Sequence, residues 1–262
     1  MKLCLSNLAW DTERNEEIYL FMSEHGFSGL EIAPTKLFGE NPYEALSAAR
    51  AWAKKLKKDY SLSVASVQSL WYKRNEGIFN SFEERCFLLS YTKKAIDFAA
   101  EINCGNLVFG CPKNRVTRGE DHYAAALDFF GELGNYAVEK GAVIAIEPNP
   151  AAYGTDFLNT TREALEFCKD AGCDGLKINL DFGTIIINGE SFDFSDEELA
   201  LVNHVHISEP NLTPVKRRKG HEQLKTALEK SGYGGYVSVE MSPGGTDSDI
   251  EDAALYLKEV FG

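Results

Sequence analysis

The chain has 262 residues, 44% of them hydrophobic and 26% charged, with a formal net charge of −13. That is enough apolar material for one large core, and α/β barrels reach this length as single domains. So acidic a chain is a poor binder of nucleic acid or anionic membrane, because neutralising phosphates needs a basic field. No stretch approaches the roughly eighteen uninterrupted apolar residues of a membrane span. The N-terminal MKLCLSNLAWD lacks the design of a signal peptide, and the six cysteines form no CxxC pair. A reduced, cytoplasmic protein is expected.

In chain order, short β-type runs alternate with helical patterns. The runs are 2–7 (KLCLSN), 29–33 (GLEIA), 62–68 (LSVASVQ), 106–111 (NLVFGC), 142–148 (AVIAIEP), 176–181 (LKINLD), 204–208 (HVHIS) and 236–241 (YVSVEM). The helical segments are 13–25, 43–59, 82–103, 120–140, 160–171, 221–231 and 248–261. In 160–171, Thr160 or Thr161 caps the start, Glu163 lies in the first turn and Gly172 is the stop. Between the sixth and seventh runs only SDEELALV, within 190–203, looks helical, with Ser195 as its N-cap. Eight such units without a linker predict an α/β fold, a closed (β/α)8 TIM barrel, with 1–262 as a single domain. An open doubly wound sheet fits less well, since no GxGxxG follows the first run. The stretch 71–84 (WYKRNEGIFNSFEE) is long for a βα loop and is a candidate lid.

In such a barrel the C-terminal strand ends form the active site. Here they carry Asn7, Glu31, Gln68, Glu147, Asp181, His206 and Glu240. A carboxylate ending an apolar strand is costly unless paired or metal-bound. Glu147, Asp181, His206 and Glu240 end four consecutive runs, so adjacent strands bring them together. Three converging carboxylates raise one another's pKa values, and a divalent cation resolves that repulsion. Mixed carboxylate and imidazole ligation suits Mn, Co, Zn or Mg. The equal spacings Glu147–Asp181 and His206–Glu240 suggest equal depth in the barrel. Period-2 alternation puts His204 on the face of His206 but one layer deeper, as a hydrogen-bonded core histidine.

Further candidates surround this set. Glu209 either orients a ligand, contacts substrate or is an exposed loop carboxylate. His221 reaches the pocket or packs at a helix start. The basic run 215–221 (VKRRKGH), with Arg217, is either a phosphate site near strands seven and eight or a solvated loop. Lys113 and Arg115 can contact an anionic group or close a salt bridge. Asn7 and Gln68 can read sugar hydroxyls, and Trp10 and Trp71 can stack on a sugar ring. Phe79 and Phe82 read as packing for the loop and the helix after it.

The segments LSNLAW (5–10), GLEIAPTKLFG (29–39), VFGCPKNR (108–115), IEPNP (146–150), INLDFG (178–183), HVHISEP (204–210) and GYGGYVSVEM (232–241) resemble the xylose-isomerase-like TIM-barrel superfamily, in particular its sugar phosphate isomerase/epimerase group, over essentially the whole chain. The resemblance implies that Glu147, Asp181, His206 and Glu240 hold a divalent metal. It also implies that Glu147 and Glu240 serve as acid and base on opposite sides of a sugar, through a cis-enediolate. The chain departs from the ketose 3-epimerase pattern at Thr184, in place of a second histidine. It departs again at Leu212, where an arginine is usual, and at Tyr153, where a glutamate is frequent. The sugar grip of those enzymes is therefore not reproduced. Five histidines and the acidity argue against a trinuclear repair nuclease. The expected function is a metal-dependent isomerase or epimerase of a small-molecule sugar or sugar phosphate. A polyol-ketone dehydratase and a non-catalytic sugar-binding barrel are the alternatives. Neither a nucleic acid nor a membrane is an expected partner, and a homo-oligomer stays open.

Overall fold

In the computed structural model, which describes residues 1–244, 246 and 248–262, eight parallel strands close into a barrel in sequence order. They are β1 (Lys2–Ser6), β2 (Gly29–Ile32), β3 (Ser63–Val67), β4 (Asn106–Phe109), β5 (Val143–Ile146), β6 (Leu176–Asp181), β7 (Val202–Ile207) and β8 (Tyr236–Val239). Pairing of β8 with β1, from Lys2↔Tyr236 to Leu5↔Val239, completes the ring. Each expected run is a strand. Most stop sooner than the sequence suggests, because the last residues of the run already turn into the loops that carry the site.

Around the ring lie α1 (Asn15–Glu24), α2 (Thr35–Phe38), α3 (Leu46–Tyr60), α4 (Phe82–Glu101), α5 (Tyr123–Glu139), α6 (Thr161–Ala171), α7 (Phe182–Asn188), α8 (Asp196–Leu199), α9 (Lys219–Lys230) and α10 (Asp249–Phe261). Thr160 caps α6 in a capping box with Glu163, and Gly172 ends that helix at φ 55. Ser195 caps α8 in the same way with Glu198. The β6–β7 crossover differs from expectation. It is carried mainly by α7, whose Ile185–Ile187 run reads as strand-like because β-branched side chains favour extended backbone. The helix forms because Asp181 Oδ2 accepts the backbone N–H of Thr184 at 2.7 Å, so strand passes into helix without a loop.

The apolar core lies between sheet and helices, where outward-facing Leu30, Ile144, Ile178 and Val205 are fully buried. The barrel interior is polar instead of carrying the branched aliphatic layers common in this architecture. Asn106 Nδ2 donates to Ser66 Oγ at 2.9 Å, and Ser238 Oγ donates to Glu31 Oε2 at 3.1 Å. The candidate lid is tethered. Asn114 Nδ2 donates to the carbonyls of Arg74 (3.1 Å) and Glu76 (2.7 Å), and Ile78 N–H returns to Asn114 O at 2.9 Å. Phe79 packs this loop on His122 and Phe157, whereas Phe82, expected to pack as well, is 68% exposed.

Helix α5 meets β6 at two glycines. A Cβ on Gly175 would lie 2.0 Å from the carbonyl oxygen of Gly134, a backbone atom that no rotamer change can move. Gly175→Ala is expected to destabilise the fold by about 2–4 kcal/mol. Urea unfolding of the variant checks this, and a change below about 0.5 kcal/mol would contradict the close approach.

Candidate active site

At the C-terminal mouth, β5 to β8 deliver Glu147, Asp181, His206 and Glu240, with one donor atom of each lying within 4.8 Å of the others. His206 is the centre and is fully buried. Its Nδ1 lies 3.0 Å from Glu147 Oε1 and 3.2 Å from Glu240 Oε2. Its Nε2 points the other way, 3.0 Å from the carboxylate of Glu31. Glu31 also lies 3.3 Å from His204 Nε2. His204 is thus the deeper core histidine expected, but its Nε2 meets the Glu31 charge without a hydrogen bond.

The sequence places Glu31 among the strand-end residues but gives it no role, and the structure puts it against His206. Register shifts fall between Leu30 and Glu31 and between Ile178 and Asn179, immediately before two residues that reach His206. Such bulges re-aim side chains next to functional sites. Equal depth of the four residues is not what the register shows. Ile146 pairs with Ile178, Asp181 pairs with His206, and His206 pairs with Ser238, so Glu240 follows beyond that level. The tilt and stagger of a closed barrel, not equal spacing, bring the donor atoms together.

Each carboxylate has its own supports. Glu147 Oε1 accepts from Asn179 Nδ2 at 2.7 Å, and Oε2 accepts from Asn149 Nδ2 at 3.1 Å. Behind them, buried Arg115 donates from Nη2 to Asn149 Oδ1 (2.8 Å) and to the Glu147 carbonyl (2.9 Å). Asp181 Oδ1 accepts from Ser208 Oγ, while the Thr184 hydroxyl lies 2.7 Å from Oδ2. Thr184 therefore fixes Asp181. Tyr153 OH accepts from Asn211 N–H at 3.0 Å and joins the loops after β5 and β7. Asn211 and Leu212 there hold left-handed φ values of 58° and 53°.

Burial pushes the Glu240 carboxyl up to about 7, against the pull of His206. Burial and the Glu147 charge also raise Asp181. Burial raises Glu147 too, but hydrogen bonds from His206, Asn149 and Asn179 bring it below the ordinary carboxylate range. Burial opposes a proton on His206, yet Glu31, Glu240 and Glu147 together hold its pKa well above the usual value. A site this rich in buried negative charge suits a cation, and its oxygen and imidazole donors suit a divalent metal.

The other sequence candidates divide. Asn7 is buried at the mouth, with Oδ1 accepting Ala33 N–H at 2.8 Å and Nδ2 lacking a hydrogen-bond partner. Gln68 is buried beside it and donates to Ser6 Oγ. Lys113 is exposed. Trp10 does not face a sugar, because it is 2% exposed and its Nε1 is bound by Asn15 at 2.9 Å. Trp71 likewise packs edge-on against Phe109 at 4.7 Å. Glu209 is not an exposed loop carboxylate: it is 1% exposed and gripped at both oxygens by Arg218, at 2.6 and 2.5 Å. Arg217 is held by Glu259 at 2.8 and 2.6 Å, so both arginines of the basic run are spent on ion pairs. His221 is buried, with Nδ1 2.8 Å from Tyr256 OH and its ring against Phe182.

Fold and side chains together define a (β/α)8 barrel with a carboxylate–imidazole site at its C-terminal mouth. The chain belongs to the xylose isomerase-like TIM barrel family, whose model matches residues 20–260. It is 31% identical to the D-psicose 3-epimerase of Agrobacterium fabrum (strain C58 / ATCC 33970) over 136 residues, 49% of this chain and 46% of that protein. The match thus spans about half the length of that relative. A crystal structure of D-psicose 3-epimerase in the presence of D-fructose superposes with a TM-score of 0.77 at 18% identity, covering 100% of both chains. The 3-keto-D-glucoside 4-epimerase YcjR of E. coli gives 0.77 at 20%, covering 99% of this chain and 98% of that one. A family 2 AP endonuclease of Brucella melitensis gives 0.76 at 19%, covering 99% of each. At these identities the solved structures show the fold alone. No helix among the described residues is long and apolar enough to cross a membrane.

Burial lowers the His221 pKa to about 4, with Glu209 opposing and Arg218 assisting. An imidazole depressed in the fold is neutral in both states at neutral pH and is protonated first in the unfolded chain as pH falls. Stability is therefore lost between about pH 6.5 and 4, by roughly 3 kcal/mol from this group. His221→Gln is expected to flatten that part of the slope in urea unfolding across pH. An unchanged slope would contradict the assignment.

Proposed function

We propose that the protein is a metal-dependent isomerase or epimerase of a small sugar or sugar phosphate. The observation that carries this reading is the convergence of Glu147 and Glu240 with Asp181 on the buried Nδ1 face of His206. The relative and the solved structures named for sugar epimerisation support it. Glu147, Asp181, His206 and Glu240 would hold a divalent ion, for which Mn, Co, Zn and Mg are all suited by the donor set. When bound, that ion supplies polarisation of a carbonyl and its neighbouring hydroxyl.

The residues do the proton chemistry. Glu147 has both oxygens oriented by Asn179 and Asn149. It removes the proton α to the carbonyl, leaving a cis-enediolate. Glu240 returns a proton to the opposite face, which inverts that carbon. Delivery to the neighbouring carbon instead gives an isomerase. Asp181, fixed by Thr184 and Ser208, and His206, fixed by Glu31, set the geometry.

Incubation of Mn-loaded protein with ketoses in D₂O tests this. The wild type is expected to exchange the proton next to the carbonyl, and EDTA to stop it. Glu147→Gln should slow exchange by about 10²–10⁴-fold, and Glu240→Gln should slow product formation as much. Wild-type exchange in Glu147→Gln or wild-type product formation in Glu240→Gln would refute the acid–base assignment, and loss of a β-hydroxyl in the product would make the reaction a dehydration.

A further inference from the structure

Beside the carboxylate set, the barrel mouth opens into a cavity of about 660 Å³. Its walls are the loops after β1, β2, β3, β7 and β8, represented by Leu8, Ala33, Ser69, Leu212 and Ser242. Ser242 stands just beyond Glu240 on the chain, so the cavity adjoins the site at β8. In a closed barrel, the ends of β1–β3 face those of β5–β7 across the mouth. None of Glu147, Asp181, His206 and Glu240 lines the cavity, so a molecule that engages both must lie across the mouth, with its far end in the cavity.

The charge of that far end is unusual for this protein. Lys36, Lys73 and Arg74 line the cavity against one carboxylate, Glu40, among the described lining residues, in a chain whose net charge is −13. Lys36 Nζ donates to the Trp10 carbonyl at 2.6 Å, and an ammonium has two further donors to offer. Lys73 Nζ is 3.4 Å from Glu40, and both are largely exposed at 62% and 83%, so this pair holds the lysine weakly. The Arg74 guanidinium lies over the Tyr91 ring at 5.3 Å, and its buried Nε has no hydrogen-bond partner. Arg74 and Lys73 belong to the loop that Asn114 tethers, so they are presented on fixed backbone. In the basic run 215–221, Glu259 and Glu209 already occupy the two arginines, Arg217 and Arg218.

We propose that this cavity binds the phosphate monoester of the substrate through Lys36, Lys73 and Arg74. Three cations, with Glu40 in the wall and Asp11 and Glu13 acting on Lys36 from outside it, suit an anion better than a neutral hydroxyl. The assignment rests on the proposed sugar chemistry for its orientation, but phosphate binding itself does not require turnover.

The test is isothermal titration of the full chain in the presence of EDTA, with inorganic phosphate, D-ribulose 5-phosphate and D-ribulose as probes. The ester is expected to bind at least about tenfold more tightly than the free ketose, with inorganic phosphate competing. Lys36→Met combined with Lys73→Ala should erase that preference, whereas Arg217→Ala should leave it intact. Equal affinities, no binding of phosphate or ester, or a preference that survives the double variant would overturn the proposal. A protein that prefers the ester but exchanges no proton would refute the isomerase reading and leave this assignment standing.

Discussion

The contact between Glu31 and His206 determines how the rest of the site is arranged. Both residues are fully buried, and a carboxylate on one ring nitrogen fixes which way the other nitrogen faces. With Nε2 held by Glu31, Nδ1 is turned toward Glu147 and Glu240. This is the outer-shell arrangement by which carboxylates orient metal-binding imidazoles. Removing one partner of such a buried pair leaves an uncompensated polar group at large cost, so the pair is a constraint on the fold as well as on the site.

That constraint explains the polar barrel interior. Glu31 needs donors, which Ser238 and His206 supply from β8 and β7, with His204 Nε2 3.3 Å away. Asn179 bridges His206 and Glu147. The two register shifts place Glu31 and Asn179 for these contacts. Apolar packing is displaced outward, to the sheet–helix interface, where Phe109, Phe130 and Phe167 interlock edge to face. The barrel gives up aliphatic layers inside and keeps its core outside.

Much of this was legible in the sequence, because period-2 runs ending in charged residues state both where strands lie and which end is chemically loaded. The eight strands and the four residues on β5 to β8 were readable for that reason. Helix α7 was not, since its Ile run carries the local preference of a strand and only the Asp181 cap reverses it. Glu31 was visible as a strand-end acid, but nothing local showed that it would reach His206 from the far side of the barrel. Trp10, Glu209, Arg217 and His221 looked like site residues because they are polar or aromatic and near strand ends. Their partners, Asn15, Arg218, Glu259 and Tyr256, lie on other segments or loops, and sequence spacing alone does not reveal such pairings.

The most direct test of the central claim is the metal content of the purified chain after incubation with excess Mn²⁺ and desalting, wild type beside His206→Ala. The arrangement of Glu147, Asp181 and Glu240 around Nδ1 predicts close to one equivalent in the wild type and a marked drop in the variant, with both proteins folded by circular dichroism. No retained metal in the wild type, or equal content in the two proteins, would mean that this cluster is not a metal centre.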